Sequence, residues 1–343
     1  MKQLAAAEIS SLAKHLNSCS KVAVVSHQRP DGDALGCVCA ACHYLTDCLG
    51  KKSVALLPAE VAPSLEFILD GVERCSDASV LDSCDLVWVL DLNGLSRTGC
   101  FEQALRECTV PKILVDHHLN PCVDEFNLVF STAEVSSACE LLYWILKELA
   151  GGDASKLPAA VLHPLMCGMT TDTNNFANSV WPTTLQMASE LLAAGVDRDS
   201  IIQNLYNSYR ENRVRAISWL LSQKLVLDGG FAYIIISASD RARFDLREGE
   251  TEGLVNIPLS IADVKMSATF TEDEGFFRVS VRSKKGTSAN LFAREYFHGG
   301  GHEQAAGGKL LIPEDIGSDQ EVEAFVRRAA ARFLQNSKPG EIQ

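Results

Sequence analysis

Four apolar runs dominate the first third of the chain: KVAVVSH (21–27), KSVALLP (52–58), DLVWVLDLN (85–93) and KILVDHH (112–118). Each is continuously apolar rather than alternating, the pattern of a strand covered on both faces. Helical stretches at 31–49 and 134–149 lie between and after them. Strand, helix and strand at this spacing require crossover connections. The expected fold class is therefore α/β, a mostly parallel sheet with helices on both faces. Ligands in such sheets bind beyond the carboxyl ends of the strands. Three of the runs end in polar residues: His27, Asp91, and Asp116 with His117 and His118. The fold alone thus gathers three distant segments into one candidate site.

Beyond residue 156 the texture changes. Residues 156–227 read as mostly helical, with Pro182 opening one helix and Gly195 closing it. The amphipathic stretch RENRVRAISWLLSQKLVL (210–227) reads as a connection. Strands follow at 231–237, 264–271 and 276–283, a helix at 288–297, a short strand near 308–312 and a last helix at 319–335. This is a smaller α+β domain. The expected organisation is an α/β domain over 1–209, a helical linker over 210–228 and a smaller α+β domain over 229–337, with a frayed tail SKPGEIQ. Helical faces in 134–149 and 210–227 are candidates for pairing two subunits as a homodimer.

Composition narrows the function. No run of about 18 apolar residues is present, so no membrane span is expected. The start, MKQLAAAEISSLAKHL, lacks the apolar core of a signal peptide and reads as a first helix. All twelve cysteines lie between Cys19 and Cys167. Without an export signal they read as free thiols in a reducing cytoplasm. Cys37, Cys39 and Cys42 lack the spacing of a zinc knuckle and suit small core positions on a helix. The net charge of −13 excludes a broad basic face for long nucleic acid. A polyanionic substrate must be short and held by local positive charge.

The strand-end residues carry the chemistry. They are His27, Asp31, Asp33, Asp91, Asp116, His117 and His118, joined by Asp172 from GMTTDTNNF. Clustered carboxylates repel one another at neutral pH unless cations neutralise them. Carboxylate with imidazole, and no thiolate, suits Mn, Fe, Zn or Mg rather than a structural zinc. Taken alone, Asp31-Gly32-Asp33 reads equally as a turn with a helix cap. Four aspartates and two histidines as ligands suit two metals, the clamp used for in-line displacement at phosphorus.

The segments HQRPDGDALG, VLDLN, VDHH and GMTTDT resemble, in order, the four motifs of the DHH phosphoesterase superfamily. EGLVNIPLSI, FRVSVRSK and SANLFAREYFHGGGHEQAAGG resemble its DHH-associated domain, so the likeness runs over roughly 15–335. The pairing is similar to bacterial oligoribonucleases of the nanoRNase type. That resemblance implies that His27 and Asp31 bind one metal and that Asp33, His117 and Asp172 bind the other, with Asp91 bridging. It implies that His118 faces the phosphate or orients the attacking water and that Asp116 fixes an imidazole. Arg282, Ser283, Asn290 and the loop Gly299-Gly300-Gly301-His302 would bind substrate. The residue types agree: a glycine loop lets backbone N–H groups approach an anion, and Arg282 offers a bidentate fork. Two departures stand out. Glu303 follows the loop where relatives often carry a basic or polar residue, and Ile257 and Leu259 give the NIPLSI segment no basic or aromatic side chain of its own.

The implied activity is a two-metal phosphodiesterase, manganese being favoured over Mg2+, Co2+ or Fe2+. Its substrates would be short single-stranded RNA or DNA oligonucleotides and linear dinucleotides, cleaved to 5'-mononucleotides. The mononucleotide bisphosphate 3'-phosphoadenosine 5'-phosphate would be a second substrate. The alternatives are an inorganic pyrophosphatase or polyphosphatase on the same centre, and a nucleotide sensor without turnover.

Overall fold

The computed structural model describes residues 4–336, and the chain divides into two compact units, Met1–Ser208 and Tyr209–Gln343. The tail SKPGEIQ lies outside the described residues.

The first unit runs α1 (Ala6–Ser18), β1 (Lys21–Val25), α2 (Gly32–His43), β2 (Lys52–Leu56), β3 (Arg74–Cys75), β4 (Leu86–Leu90), α3 (Glu102–Glu107), β5 (Lys112–Asp116), β6 (Leu128–Ser131), α4 (Ala138–Leu149), α5 (Ala159–Asp172), α6 (Pro182–Ala193) and α7 (Arg198–Tyr206). Its strands form one parallel sheet in the order β3-β2-β1-β4-β5-β6. The continuous apolar runs have a plain cause. Val22, Val24, Trp88, Leu90, Ile113 and Val115 enter one core with α1, α2, α4 and α5. Their alternates Ala23, Val25, Val87, Val89 and Leu114 enter a second core with Leu95, Phe101 and Leu105. Cys37, Cys39 and Cys42 are buried on α2, as small core residues.

Several expected boundaries shift. The helix expected over 31–49 ends at His43 and passes into a wider turn over Tyr44–Cys48. The helix expected over 134–149 begins at Ala138, because the Ser137 side chain accepts the Glu140 N–H and caps it. Ala138 to Leu146 are all buried, so the face of this helix expected to pair subunits is used inside the unit. Strands β3 and β6 had no sequence signal. One has two residues, and the other is mostly half-buried at the sheet edge.

The second unit contains α8 (Glu211–Gln223), β7 (Val226–Asp228), β8 (Phe231–Ile236), α9 (Ala238–Arg243), β9 (Met266–Asp273), β10 (Phe276–Ser283), α10 (Ala289–Tyr296), β11 (Gly300–Gly301), β12 (Ala305–Leu311) and α11 (Val322–Asn336). The stretch 210–228 contributes α8 and an edge strand to this unit. Arg210 pairs with Asp245 at 2.6 Å and Glu250 at 3.2 Å, and β7 pairs with β8. The sheet order is β11-β12-β10-β9-β8-β7, antiparallel except between β8 and β9. In β10 alternate residues are buried, and Phe277, Val279 and Val281 pack with Phe292 and Phe297. Strand β12 begins at Ala305 rather than near 308, because AAGG carries no apolar pattern to mark it.

α2 and α5 approach closely where Gly168 stands. A Cβ there would lie 2.3 Å from Cys139 Sγ and 2.9 Å from Asp33 Oδ1. Gly168→Ala is expected to destabilise the protein by ~1–3 kcal/mol through overpacking, read as a lower urea midpoint at unchanged slope. Adding Cys139→Ala should recover part of that loss, and a double variant no better than the single would refute this account.

Candidate metal centre

The sheet order places β1 between β2 and β4, the point where the sheet grows in opposite directions. Such a switch point opens a crevice at the strand ends. β1 delivers His27 two residues past its end, β4 delivers Asp91 and β5 ends on Asp116 with His117 and His118 following. Asp31 caps α2, its Oδ1 accepting the N–H groups of Asp33 and Ala34 at 3.1 Å each. The cap and the cluster are therefore the same residue. Asp172 is the last residue of α5.

Asp91 stands at the middle. Its φ of 58° is left-handed, an unusual state for a residue other than glycine, and its N–H donates to Val115 O at 2.9 Å. Its Oδ2 lies 3.5 Å from His27 Nε2, and its Oδ1 lies 3.4 Å from His117 Nε2. Asp31 Oδ1 lies 4.0 Å from His27 Nε2 on one side. On the other, Asp33 Oδ2 and Asp172 Oδ2 lie 3.7 and 3.5 Å from His117 Nε2. The structure thus brings together all six residues expected as ligands. His27, Asp31 and Asp91 form one group able to hold a cation, and Asp33, Asp91 and His117 form another.

Charge crowding shows in the acid–base balance. Burial, then the charge of Asp91, pushes the Asp33 carboxyl up to about 7 against the pull of His117. Burial drives Asp172 well above the carboxylate range, His117 opposing and the charges of Asp33 and Asp31 adding. Burial works against Asp91 too, but His117 and His27 beside it hold it well below that range. His117 is raised to about 10, the surrounding aspartates outweighing burial. Protons take up the negative charge here unless a cation does.

The donor set fits a divalent cation. Asp91 Oδ1 and Asp116 Oδ2 are buried without hydrogen bonds among the described residues. The imidazole nitrogens of His27, His117 and His118 converge on Asp91 at 3.5, 3.4 and 3.6 Å. Hard oxygens with imidazole are the donors that manganese or magnesium accept. Cys37 and Cys139 lie near Asp33, with Sγ atoms 3.4 Å apart, but Cys139 Sγ is tightly packed against Gly168. The thiols serve packing.

Two supporting features had no sequence signal. Asp33 is gripped by the start of α4: Ala138 N donates to Oδ2 at 2.6 Å and Cys139 N to Oδ1 at 2.9 Å. A helix N-terminus is a ready site for such an anion. The buried Glu140 ties the preceding loop to α6, its Oε2 accepting from Ser136 N and Oγ and from Thr184 Oγ1. The second feature is Arg97, whose Nη1 lies 2.9 Å from His118 Nε2. Asp116 Oδ1 takes the other side of that ring, 2.7 Å from Nδ1, as expected of a residue that fixes an imidazole. His118 Nε2 faces Arg97.

In the second unit the residues expected to bind substrate are locally well connected. Arg282 Nη1 donates to Val281 O, Ser283 Oγ donates to Thr287 O, and Asn290 Oδ1 accepts the Gly301 N–H at 3.2 Å. The glycine loop does not present an open row of N–H groups. Gly299 N donates to Ala293 O and His302 N to Ala305 O. Glycine is required because a Cβ at Gly299 would sit 1.9 Å from Gly307 O in β12. Glu303 is turned to α10, accepting from the capping Ser288 hydroxyl at 3.0 Å.

Residues 21–169 match the DHH family, N-terminal domain, and residues 228–334 match the DHHA1 domain. The bifunctional oligoribonuclease and PAP phosphatase NrnA of Bacillus subtilis is 26% identical over 83% of this chain and 87% of its own. A probable manganese-dependent inorganic pyrophosphatase of Streptococcus pyogenes is 30% identical, over 45% of this chain and 49% of its own. The crystal structure of an exopolyphosphatase-related protein from Bacteroides fragilis is 30% identical and superimposes with a TM-score of 0.88 over 98% of this chain and 99% of that one. With the motif residues gathered at one switch point and both domains matched in order, the chain belongs to the DHH family and is a phosphoesterase.

Proposed function

We propose that the protein is a two-metal phosphodiesterase that cleaves short single-stranded oligonucleotides and linear dinucleotides to 5'-mononucleotides, and that it also acts on 3'-phosphoadenosine 5'-phosphate. The observation that carries this is Asp91, whose two oxygens face His27 on one side and His117 on the other. His27 and Asp31 would hold one ion, and Asp33, His117 and Asp172 the second, with Asp91 shared. We take both to be Mn2+, with Mg2+, Co2+ and Fe2+ as substitutes. Bound divalent cations supply Lewis-acid stabilisation of charge at phosphorus and ease deprotonation of the attacking water.

The chain's own residues do the positioning. The α4 N-terminus fixes Asp33, and the Asp116 carboxylate orients His118. Arg282 and His302 have the chemistry to contact a phosphate or a base. Asn290 and the glycines Gly299, Gly300 and Gly301 shape the loop that carries His302, and Ser283 closes the turn after Arg282 at the end of β10. We assign catalysis to the first domain and substrate binding to the second. The net charge of −13 disfavours long strands. Likeness to the B. subtilis oligoribonuclease spans most of both chains, whereas likeness to the pyrophosphatase spans about half, which favours a nucleotide substrate. Twelve free cysteines suit the reducing cytoplasm. No helix among the described residues is long and apolar enough to cross a membrane.

Protein stripped with EDTA should be inactive and regain activity with Mn2+. It should then release mononucleotides fastest from 5'-phosphorylated diadenylate, more slowly from longer strands, and also dephosphorylate 3'-phosphoadenosine 5'-phosphate. Cleavage of pyrophosphate alone would overturn the substrate assignment. Asp91→Asn keeps a side chain tolerant of the left-handed backbone. It should lower turnover by at least ~10³-fold, several kcal/mol of lost stabilisation, together with metal retention measured by elemental analysis. Normal turnover by this variant would sink the two-metal centre.

A further inference from the structure

We infer that Arg97 is a catalytic residue that binds a phosphoryl oxygen of the substrate at the metal centre; this rests on the phosphoester reading above. Arg97 lies in the loop NGLSRTG (93–99) that follows Asp91. The loop is pinned on three sides. Gln28 N donates to Arg97 O at 2.8 Å, Asn93 Nδ2 donates to Leu119 O at 3.0 Å, and Leu95 N donates to Glu125 Oε2 at 2.7 Å. It is therefore braced between the chain after His27 and the chain after His118. The Arg97 side chain is half-buried.

Its one recorded side-chain partner is an imidazole. Arg97 Nη1 lies 2.9 Å from His118 Nε2, and no carboxylate lies within ion-pair distance of it among the described residues. A guanidinium has donors only, so His118 Nε2 must accept and the ring proton must sit on Nδ1, donated to Asp116 Oδ1 at 2.7 Å. The chain Asp116–His118–Arg97 thus ends on a guanidinium, aimed by a ring whose Nδ1 lies 3.6 Å from Asp91 Oδ1. One imidazole separates the guanidinium from the central aspartate. A guanidinium with no carboxylate within ion-pair distance among the described residues has its charge uncompensated for an incoming anion.

The charge count gives it a task. Asp31, Asp33, Asp91 and Asp172 carry four negative charges, which two divalent ions only neutralise. A phosphoryl group arriving there gains little net attraction from the centre alone. A fixed guanidinium fork supplies it, and supplies more as charge grows on the phosphoryl oxygens in the transition state.

The test compares wild type, Arg97→Ala and Arg97→Lys, each loaded with Mn2+. Three quantities decide it: kcat/KM on 5'-phosphorylated diadenylate, the binding constant of inorganic phosphate, and the affinity for Mn2+ by calorimetry. Arg97→Ala should lose ~10²–10³-fold in kcat/KM, the cost of removing one preorganised donor. Phosphate should bind at least tenfold more weakly, Mn2+ affinity should hold within twofold, and added guanidinium ion should restore part of the rate. Arg97→Lys should recover only part, since an ammonium cannot bond His118 and fork a phosphate together. Unchanged phosphate binding in both variants would overturn the inference, and so would a loss of Mn2+ affinity parallel to the loss of rate, which would mark Arg97 as a support for His118. Wild type that binds phosphate with Mn2+ yet cleaves no phosphoester would sink the phosphodiesterase reading, while the phosphate constants would still decide Arg97.

Discussion

The centre depends on one strand end. β4 lies between β1 and β5, and the residue after it is Asp91, with a left-handed backbone that costs on the order of 1–3 kcal/mol. The hydrogen bond from its N–H to Val115 O and the surrounding core hold that conformation. What the strain achieves is direction. The carboxylate stands between His27 and His117, one oxygen toward each. With β4 between β1 and β5, the parallel sheet supplies those two histidines from opposite sides of Asp91.

Holding so many acids together requires compensation, and the first unit supplies it in layers. Asp33 is buried, yet both of its oxygens are met by N–H groups at the start of α4. Even so, burial and Asp91 push it up to about 7, so these donors orient the group more than they neutralise it. Asp31 does two jobs with one oxygen, capping α2 and facing His27. Asp116 keeps out of the crowd by bonding to His118. The result is a site whose framework is fixed by the backbone and whose charge is left to be balanced from outside.

How much of this was legible differs by element. Strands covered on both faces announce themselves, so β1, β2, β4 and β5 were visible, and with them the strand ends that carry His27, Asp91 and His117. Edge strands are too short and too polar to do so, as in β3 and β6. The start of α4 is hidden because the helix formers Ala133 and Glu134 stand just before the capping Ser137. Gly32 looks like a turn residue, but its Cβ would lie 2.5 Å from Thr171 Cγ2, so its smallness lets α2 meet the end of α5 and brings Asp172 within reach. Arg97 and the α4 N–H groups were invisible for a different reason. They touch ligands or anions without being ligand types, and only tertiary structure says which arginine or which helix start is near.

The glycine loop of the second unit shows where residue type misleads. Three glycines before a histidine suggest a cradle of backbone N–H groups, and the sequence motif gives no hint that those groups are spent. Gly299 N and Gly301 N are bonded to Ala293 and Asn290 of α10, and His302 N to Ala305 of β12. The glycines allow β11 to lie against β12 at a separation that a side chain would block. Under the proposed function, recognition of an anion by this unit would therefore pass from backbone N–H groups to side chains. The bond from His302 N to Ala305 O fixes the backbone at His302, and β10 carries Arg282. Glu303, an apparent liability, is drawn to Ser288 at the start of α10, where a helix N-terminus favours negative charge. Its place in the sequence beside the loop is thus compatible with an anionic substrate, because the acid is engaged elsewhere.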